Sequence, residues 1–227
     1  LCAEILSANG IKAYLFDSFR PTPEISFAIR YLGSKSGIII TASHNPPKYN
    51  GYKAYWEDGS QVVPPHDTGI IDRVSQVKVE DIKFTPNEDL IEIIGEKVDA
   101  AFVEASVANG SCDTTGRDDF KLVYTPIHGT SFKAMIPALA KAGFNNVLTV
   151  EEQMVPSGDF PAVKSPNPED PAALAMATAL ADANDADMVV GTDPDADRIG
   201  VAVRNLKGEL QLLNGNECNT VLITYLL

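Results

Sequence analysis

The sequence predicts an α/β fold, and three observations carry that prediction. Short apolar runs of strand length, such as Gly37-Ile38-Ile39-Ile40 and Met188-Val189-Val190, alternate with longer segments whose apolar residues recur at helical spacing. These runs stop at loops rich in Gly, Pro, Asn and Asp, the punctuation expected between elements. The composition is globular: of 227 residues, 44% are hydrophobic and 22% charged, enough for one large domain or two of ordinary size.

In the first half, residues 1–9 carry Leu1, Ile5 and Leu6 at helical spacing, Gly10 ends them, and Ile11 to Phe16 reads as a strand. Pro21-Thr22-Pro23-Glu24 opens a helix. Thr22 can cap its orphan amides, Pro23 is tolerated in the first turn, and Glu24 suits the positive end of the dipole. Ile25, Ala28, Ile29 and Leu32 then share one face. The strand at 37–41 follows, and the order β, α, β implies a parallel pair joined by a right-handed crossover, with ligands beyond the strands' carboxyl ends. Ser43 lies at such an end. Asn45-Pro46-Pro47 denies a ladder, Asn50-Gly51 signals a turn, and Tyr52 to Trp56 returns as a strand. Glu57 to Ser60 is a turn, Gln61 to Val63 a short strand, and His66 to Val77 a helix in which His66 has a capping or solvent role. Leu90, Ile93, Ile94, Val98, Ala101, Phe102 and Ala105 predict one helix over Asn87 to Val107, long enough to connect domains. The polar stretch Asn109 to Asp119 supplies the junction, with a boundary near 110.

A second α/β pattern follows: strand Phe120 to Tyr124, helix Ser131 to Ala142 stopped by Gly143, and strand Val147 to Val150. Asp170-Pro171 starts an Ala-rich helix running to about Ala183, as cap and first residue. Strands Asp187 to Val190 and Ile199 to Val203 flank a polar loop. Leu210 to Leu213 is a further strand, and Asn214-Gly215-Asn216-Glu217 then precedes an apolar helix that stops at Leu227.

Composition excludes several function classes. A net charge of −13 with no basic run argues against a nucleic-acid or anionic-membrane surface. Cys2, Cys112 and Cys218 are far apart and form no CxxC pair, so neither a disulfide framework nor a zinc site is supported, and a reducing cytoplasm fits. No apolar stretch reaches the length of a membrane span, and the first residues lack the pattern of a signal peptide.

Two loops hold the chemistry. Thr41-Ala42-Ser43-His44-Asn45-Pro46-Pro47-Lys48-Tyr49-Asn50-Gly51-Tyr52-Lys53 places a serine beside a histidine at a strand's end, which alone is weak evidence of a nucleophile. Gly191-Thr192-Asp193-Pro194-Asp195-Ala196-Asp197-Arg198 places three carboxylates at alternate positions, a spacing that suits a hard cation. An EF-hand counted from Asp193 would need Gly at its sixth position and Glu at its twelfth, where Arg198 and Arg204 stand. A haloacid-dehalogenase-like phosphatase is disfavoured because the run comes late in the chain and carries Arg198.

Together these segments resemble the signatures of the α-D-phosphohexomutases, the phosphoglucomutase and phosphomannomutase superfamily. The likeness extends to Tyr124-Thr125-Pro126-Ile127-His128-Gly129-Thr130 and Lys164-Ser165-Pro166-Asn167-Pro168-Glu169, and so covers nearly the whole chain. The wording around Ser43 is most similar to the phosphoglucomutase and phosphopentomutase branch. The resemblance implies two consecutive three-layer α/β domains with mixed, largely parallel sheets, from a four-domain family. Residues 1–110 would be a phosphoserine-loop domain lacking its start, 111–207 a metal-loop domain, and 208–227 the opening of a third domain.

The resemblance also implies roles. Ser43 would carry a phosphoryl group, and Mg²⁺ would be held by Asp193, Asp195, Asp197 and a phosphate oxygen on Ser43. Lys53 would be a general acid/base, Arg198 a contact to the phosphoserine, and His44 a wall of the site. A phosphoserine of about −1.5 to −2 charge facing three aspartates requires a cation between them. Acid/base work by Lys53 requires a depressed pKa. His128 has two readings, a site residue after a strand or a buried structural histidine, and it is left outside the catalytic set. The implied reaction moves a phosphate between the 1- and 6-positions of a hexose, or the 1- and 5-positions of a pentose, through a bisphosphorylated sugar, with hexose 1,6-bisphosphate as intermediate and activator in the hexose case. A small-molecule sugar phosphate and the remainder of a longer chain are the expected partners, and this chain alone is expected to have little or no mutase activity. A non-catalytic Mg²⁺ or phosphosugar binder and a phosphatase are the alternatives.

Overall fold

The computed structural model describes residues 1–110 and 114–226; Cys112 and part of the predicted junction therefore lie outside the described residues. In the first half the elements are α1 (Cys2–Ala8), β1 (Ala13–Phe16), α2 (Thr22–Tyr31), β2 (Ser36–Ile40), β3 (Tyr52–Trp56), α3 (His66–Val74), β4 (Ile91–Ile94) and α4 (Glu96–Asn109). The second half has β5 (Lys121–Thr125), α5 (Phe132–Lys141), β6 (Asn146–Thr149), α6 (Ala175–Ala183), β7 (Met188–Thr192), β8 (Ile199–Arg204), β9 (Leu210–Leu213) and α7 (Gly215–Leu226).

The second half is a three-layer sandwich. Its sheet has the order β6-β5-β7-β8-β9, with β5 parallel to both β6 and β7 and antiparallel ladders joining β7 to β8 and β8 to β9. Successive residues of a strand point to opposite faces. Val123 and Val189 accordingly pack with Ala177 and Ala181 of α6. Leu122, Tyr124 and Val190 face Met135, Ile136 and Leu139 of α5. Val123 and Val189 are fully buried, each stabilising the fold by roughly 1.5–3 kcal/mol. At the sheet's carboxyl end the Tyr124 hydroxyl lies 2.5 Å from Ser131 Oγ, which in turn lies 2.5 Å from Thr192 Oγ1. This buried chain anchors the residue just before Asp193, and burial pushes the Tyr124 phenol up to about 12.

The first half departs from the sequence reading in two places. The single helix predicted over 87–107 is a short 3-10 turn at Glu88–Leu90, strand β4 and then helix α4. The β-branched residues Ile91, Ile93 and Ile94 satisfy a strand as well as a helical stripe. What decides is a partner: β4 pairs in parallel with β1, Ala13 opposite Ile91 through Phe16 opposite Ile94. The second departure concerns β1 and β2, which do not form the expected parallel pair. β2 forms an antiparallel hairpin with β3, and β1 and β2 both line one cleft of about 880 Å³, together with Ile25, Ala28 and Ile29 of α2. That cleft also reaches Pro194 and Asp195.

Smaller boundary differences have local causes. Gln61 keeps one bridge to Tyr55 rather than a strand, and the regular helix expected from Asp170 starts at Ala175. Asp170 Oδ1 instead accepts from Ala172 N at 2.9 Å in the preceding turn. His66 sits at the start of α3 with its ring edge on Trp56, centroids 5.5 Å apart.

Helices α2 and α4 are joined by a buried charge cluster. Arg20 Nε and Nη2 donate to Asp99 Oδ1 and Oδ2 at 2.7 and 2.8 Å, a bidentate pair of the strong charge-assisted kind. Glu24 Oε1 lies 3.8 Å from Arg20 Nε and has no hydrogen-bond partner, although Glu24 is only 1% exposed. Alongside, the Phe27 and Phe102 rings meet with centroids 5.6 Å apart.

Candidate active site

The serine loop is the connection between β2 and β3. It is closed at its base by Thr41 N donating to Gly51 O at 3.0 Å, and pinned inside by Asn45 N to Ala42 O and Tyr49 N to Pro46 O, both 3.0 Å. Ser43 N donates to Thr41 Oγ1 at 2.9 Å, and this tight turn holds Ser43 at φ 51°, in the left-handed region. A non-glycine residue there costs about 1–3 kcal/mol and is retained when its surroundings over-determine it. The result is a half-buried serine whose hydroxyl points out of the loop.

The aspartate loop is the tight connection between the antiparallel strands β7 and β8. Arg198 N donates to Asp193 Oδ1 at 3.0 Å and Ala196 N to Asp193 O at 3.0 Å, so the loop wraps its own first carboxylate. Asp193 and Asp195 are buried and Asp197 is exposed, and one carboxylate oxygen from each converges within 4.8 Å. Burial, then the charges of Asp195 and Asp197, push the Asp193 carboxyl up to about 7. Burial also works against ionisation of Asp195, but the Lys53 charge and its hydrogen bond outweigh it and hold that carboxyl below its ordinary value.

The fold brings these loops together. Ser43 Oγ donates to Asp193 Oδ2 at 3.1 Å and lies 3.2 Å from His44 Nδ1. Lys53, on β3, donates to Asp195 Oδ2 at 3.1 Å and to Asp197 Oδ2 at 3.2 Å. Six of the seven residues singled out in the sequence, Ser43, His44, Lys53, Asp193, Asp195 and Asp197, thus form one connected cluster. Arg198 joins it through its main chain, its N donating to Asp193 Oδ1 at 3.0 Å and its O accepting from Asp193 N at 3.4 Å, while its side chain is exposed. The protein's own groups do not by themselves supply the depressed Lys53 pKa that acid/base work requires. Burial lowers it, but the two carboxylates dominate and raise it, so the side chain is held as an ammonium.

The cluster also contains residues that sequence reasoning passed over. Thr22 does not cap its own helix; Pro21 takes the cap position, and Thr22 N donates to Asp195 O at 2.7 Å while Thr22 Oγ1 donates to Asp195 Oδ2 at 3.1 Å. Thr130 binds Pro194 O twice, through N at 2.9 Å and Oγ1 at 3.0 Å. Gly129 permits this approach, because a Cβ there would lie 2.6 Å from Pro194 Cα. No local signal marks Thr22 for this role, because its partner Asp195 lies 173 positions away. His128 is a structural residue: 4% exposed, its Nδ1 lies 3.0 Å from Val155 O and its Nε2 accepts from Ala162 N at 3.3 Å. That pairing assigns the proton to Nδ1.

The three carboxylates fit a divalent cation. They are hard oxygen donors of the kind Mg²⁺ selects. Asp195 Oδ1 is buried without any hydrogen-bond partner, which is costly unless something positive completes it. Among the described residues no helix is long and apolar enough to cross a membrane.

Comparison with known proteins points the same way as this geometry. The family profile described as phosphoglucomutase/phosphomannomutase, alpha/beta/alpha domain I, matches residues 1–80, and that of domain II matches residues 100–208. A phosphoglucomutase of Staphylococcus epidermidis is 37% identical over 231 residues, covering 99% of this chain and 42% of its own length. One from Staphylococcus aureus is 35% identical over 229 residues, covering 99% of this chain and 41% of its own. Among solved structures, a candidate phosphomannomutase from Thermus thermophilus superposes with a TM-score of 0.78 at 26% identity, over 97% of this chain and 47% of that one. The chain therefore spans less than half the length of these relatives.

Proposed function

Since the chain belongs to the phosphoglucomutase/phosphomannomutase family, we propose that it supplies the phosphoryl-carrying and metal-holding loops of a phosphosugar mutase. The observation that carries this reading is the Ser43 Oγ to Asp193 Oδ2 contact of 3.1 Å, which joins a strained serine to a cation-binding carboxylate cluster. Asp193, Asp195 and Asp197, with a phosphate oxygen on Ser43, would hold Mg²⁺, which when bound neutralises phosphate charge and polarises the phosphoryl group.

The chain's own residues do the rest. The serine loop fixes the Ser43 oxygen, and His44 lies within hydrogen-bond distance of it. In the forward half-reaction a free sugar hydroxyl attacks phosphorus, the new O–P bond forms as the Ser43 Oγ–P bond breaks, and the proton the hydroxyl loses is matched by the one the departing Ser43 oxygen takes up; Lys53 is the candidate relay, its ammonium giving one proton to that oxygen and regaining one from the hydroxyl once it is released from its aspartates. The return half-reaction moves the other phosphate of the bisphosphate onto Ser43. Positioning and charge stabilisation dominate such transfers. Arg198 is exposed at the loop's end, from which its flexible side chain would contact the phosphoserine. The substrate is a hexose or pentose phosphate, the bisphosphate is its intermediate and activator, and the cytoplasm is the expected site of action.

The test is incubation with Mg²⁺ and a hexose 1,6-bisphosphate carrying labelled phosphate, followed by peptide mapping. Label on the Ser43 peptide, absent in Ser43→Ala, is the expected result. Stoichiometric release of inorganic phosphate with substrate loss would make the protein a phosphatase. Bisphosphate binding without any serine ester would make it a binding protein.

A further inference from the structure

Lys53 and the aspartate loop come from opposite halves of the chain, yet the ammonium bonds two of the three converging carboxylates, at 3.1 Å to Asp195 and 3.2 Å to Asp197. The Lys53 side chain is 23% exposed and that of Asp195 is 6% exposed, so the first contact is poorly screened by water. Asp195 Oδ2 already accepts from Lys53 and from Thr22, while Asp195 Oδ1 accepts from nothing. An ammonium balances charge by donating its hydrogens to the oxygen lone pairs through which a divalent ion would be ligated, so the two compete for the same oxygens. The two cations also repel each other at these distances. Both cannot hold Asp195 and Asp197 at full strength.

We propose that Lys53 is a resident counter-cation of the aspartate loop, which a divalent ion displaces, so that loading the loop and releasing the lysine amine are one event. This rests on the reading of the three aspartates as a divalent-cation site. It makes Lys53 a residue that weakens cation binding in order to couple it to the freeing of its own side chain within the cluster that holds Ser43.

The experiment is calorimetric titration of Mn²⁺ into the wild-type protein, Lys53→Met, which keeps the aliphatic stem, and Lys53→Arg, which keeps the charge. In parallel, ¹³C-dimethylated wild-type protein is titrated with Mn²⁺'s diamagnetic counterpart Mg²⁺, and the Lys53 methyl resonance, assigned by its loss in Lys53→Arg, is followed by NMR. The expected result is Mn²⁺ binding at least fivefold tighter in Lys53→Met, no such gain in Lys53→Arg, and a Lys53 resonance that moves in step with Mg²⁺ loading. A lysine with only a structural role would leave Lys53→Met with equal or weaker binding. That outcome overturns the proposal, as does a Lys53 resonance indifferent to Mg²⁺. If Lys53→Met fails to fold, as judged by its circular dichroism, the resonance decides alone. Absence of ion binding in all three proteins overturns the cation-site reading itself, and the proposal with it, whereas equal binding in all three overturns the displacement only.

Discussion

Glu24 offers the sharpest test of how the fold treats charge near the site. It lies on α2 two residues from Thr22, is 1% exposed, and its carboxyl is pushed up from 4.5 to about 8, by burial first and then by Asp99, against the pull of Arg20. The folded protein therefore keeps a proton that the unfolded chain gives up. This contribution to stability is fully present below about pH 4.5 and is lost as the pH rises through about 8. At about 1.36 kcal/mol per pH unit, the ceiling over that window is roughly 4–5 kcal/mol. Asp99 has the opposite sign: burial opposes its ionisation, but Arg20 and Glu24 hold it below 3.8, so its contribution is lost only in acid and does not mask the effect. Glu24→Gln keeps the shape and a donor for Asp99 while removing the titration. Urea unfolding of both proteins at about pH 5.5, 7 and 8.5 would show the variant gaining on the wild type as pH rises, by roughly 2–4 kcal/mol across the range. A difference that stays constant would mean that Glu24 is already ionised in the folded protein, and would refute the reasoning.

Three further outcomes are expected. Thr22→Val removes a hydrogen bond to a buried, ionised acceptor while leaving the backbone bond to Asp195 O; a loss of about 1–3 kcal/mol is expected, read as a lower midpoint in thermal unfolding. Gly129→Ala forces a Cβ to within 2.6 Å of Pro194 Cα and 2.7 Å of Pro194 O, both backbone atoms; a destabilisation of about 1–3 kcal/mol should appear in urea unfolding together with weaker Mn²⁺ binding in calorimetry. Mg²⁺ at about a hundred times its dissociation constant should stabilise the protein by roughly 2.7 kcal/mol, an effect that a chelator reverses and Asp195→Asn abolishes in differential scanning calorimetry.

Local pattern was legible wherever the residues themselves determine it. The apolar run Leu122 to Tyr124 and the Gly143 stop are of this kind, and the second half follows the sequence reading apart from the later start of α6 at Ala175. Residues 87–107 failed because Ile91 to Ile94 suit both periods, and β1, whose Ala13 stands opposite Ile91 across the ladder, settles the choice. The β1–β2 pairing failed for a related reason: chain order favours a crossover, but β2 finds a nearer partner in β3 across the serine loop, whose base is closed by Thr41 N and Gly51 O rather than by the turn expected at Asn50-Gly51.

The site was legible as residue types but not as geometry. Motif wording indicated Ser43, Lys53 and the three aspartates, whereas the contacts that assemble them span 150 residues from Ser43 to Asp193, 142 from Lys53 to Asp195 and 173 from Thr22 to Asp195. Each is one hydrogen bond, and none leaves a periodic trace in the chain. Asp195 shows why the distinction matters. Its main-chain oxygen and one carboxylate oxygen are held by Thr22, its charge is balanced by Lys53, and the preceding Pro194 is fixed by Thr130. Two of those three partners belong to the first half of the chain. The spacing between serine and aspartates is therefore set by the packing of one half on the other, and a substitution at that interface can change the chemistry without touching either motif.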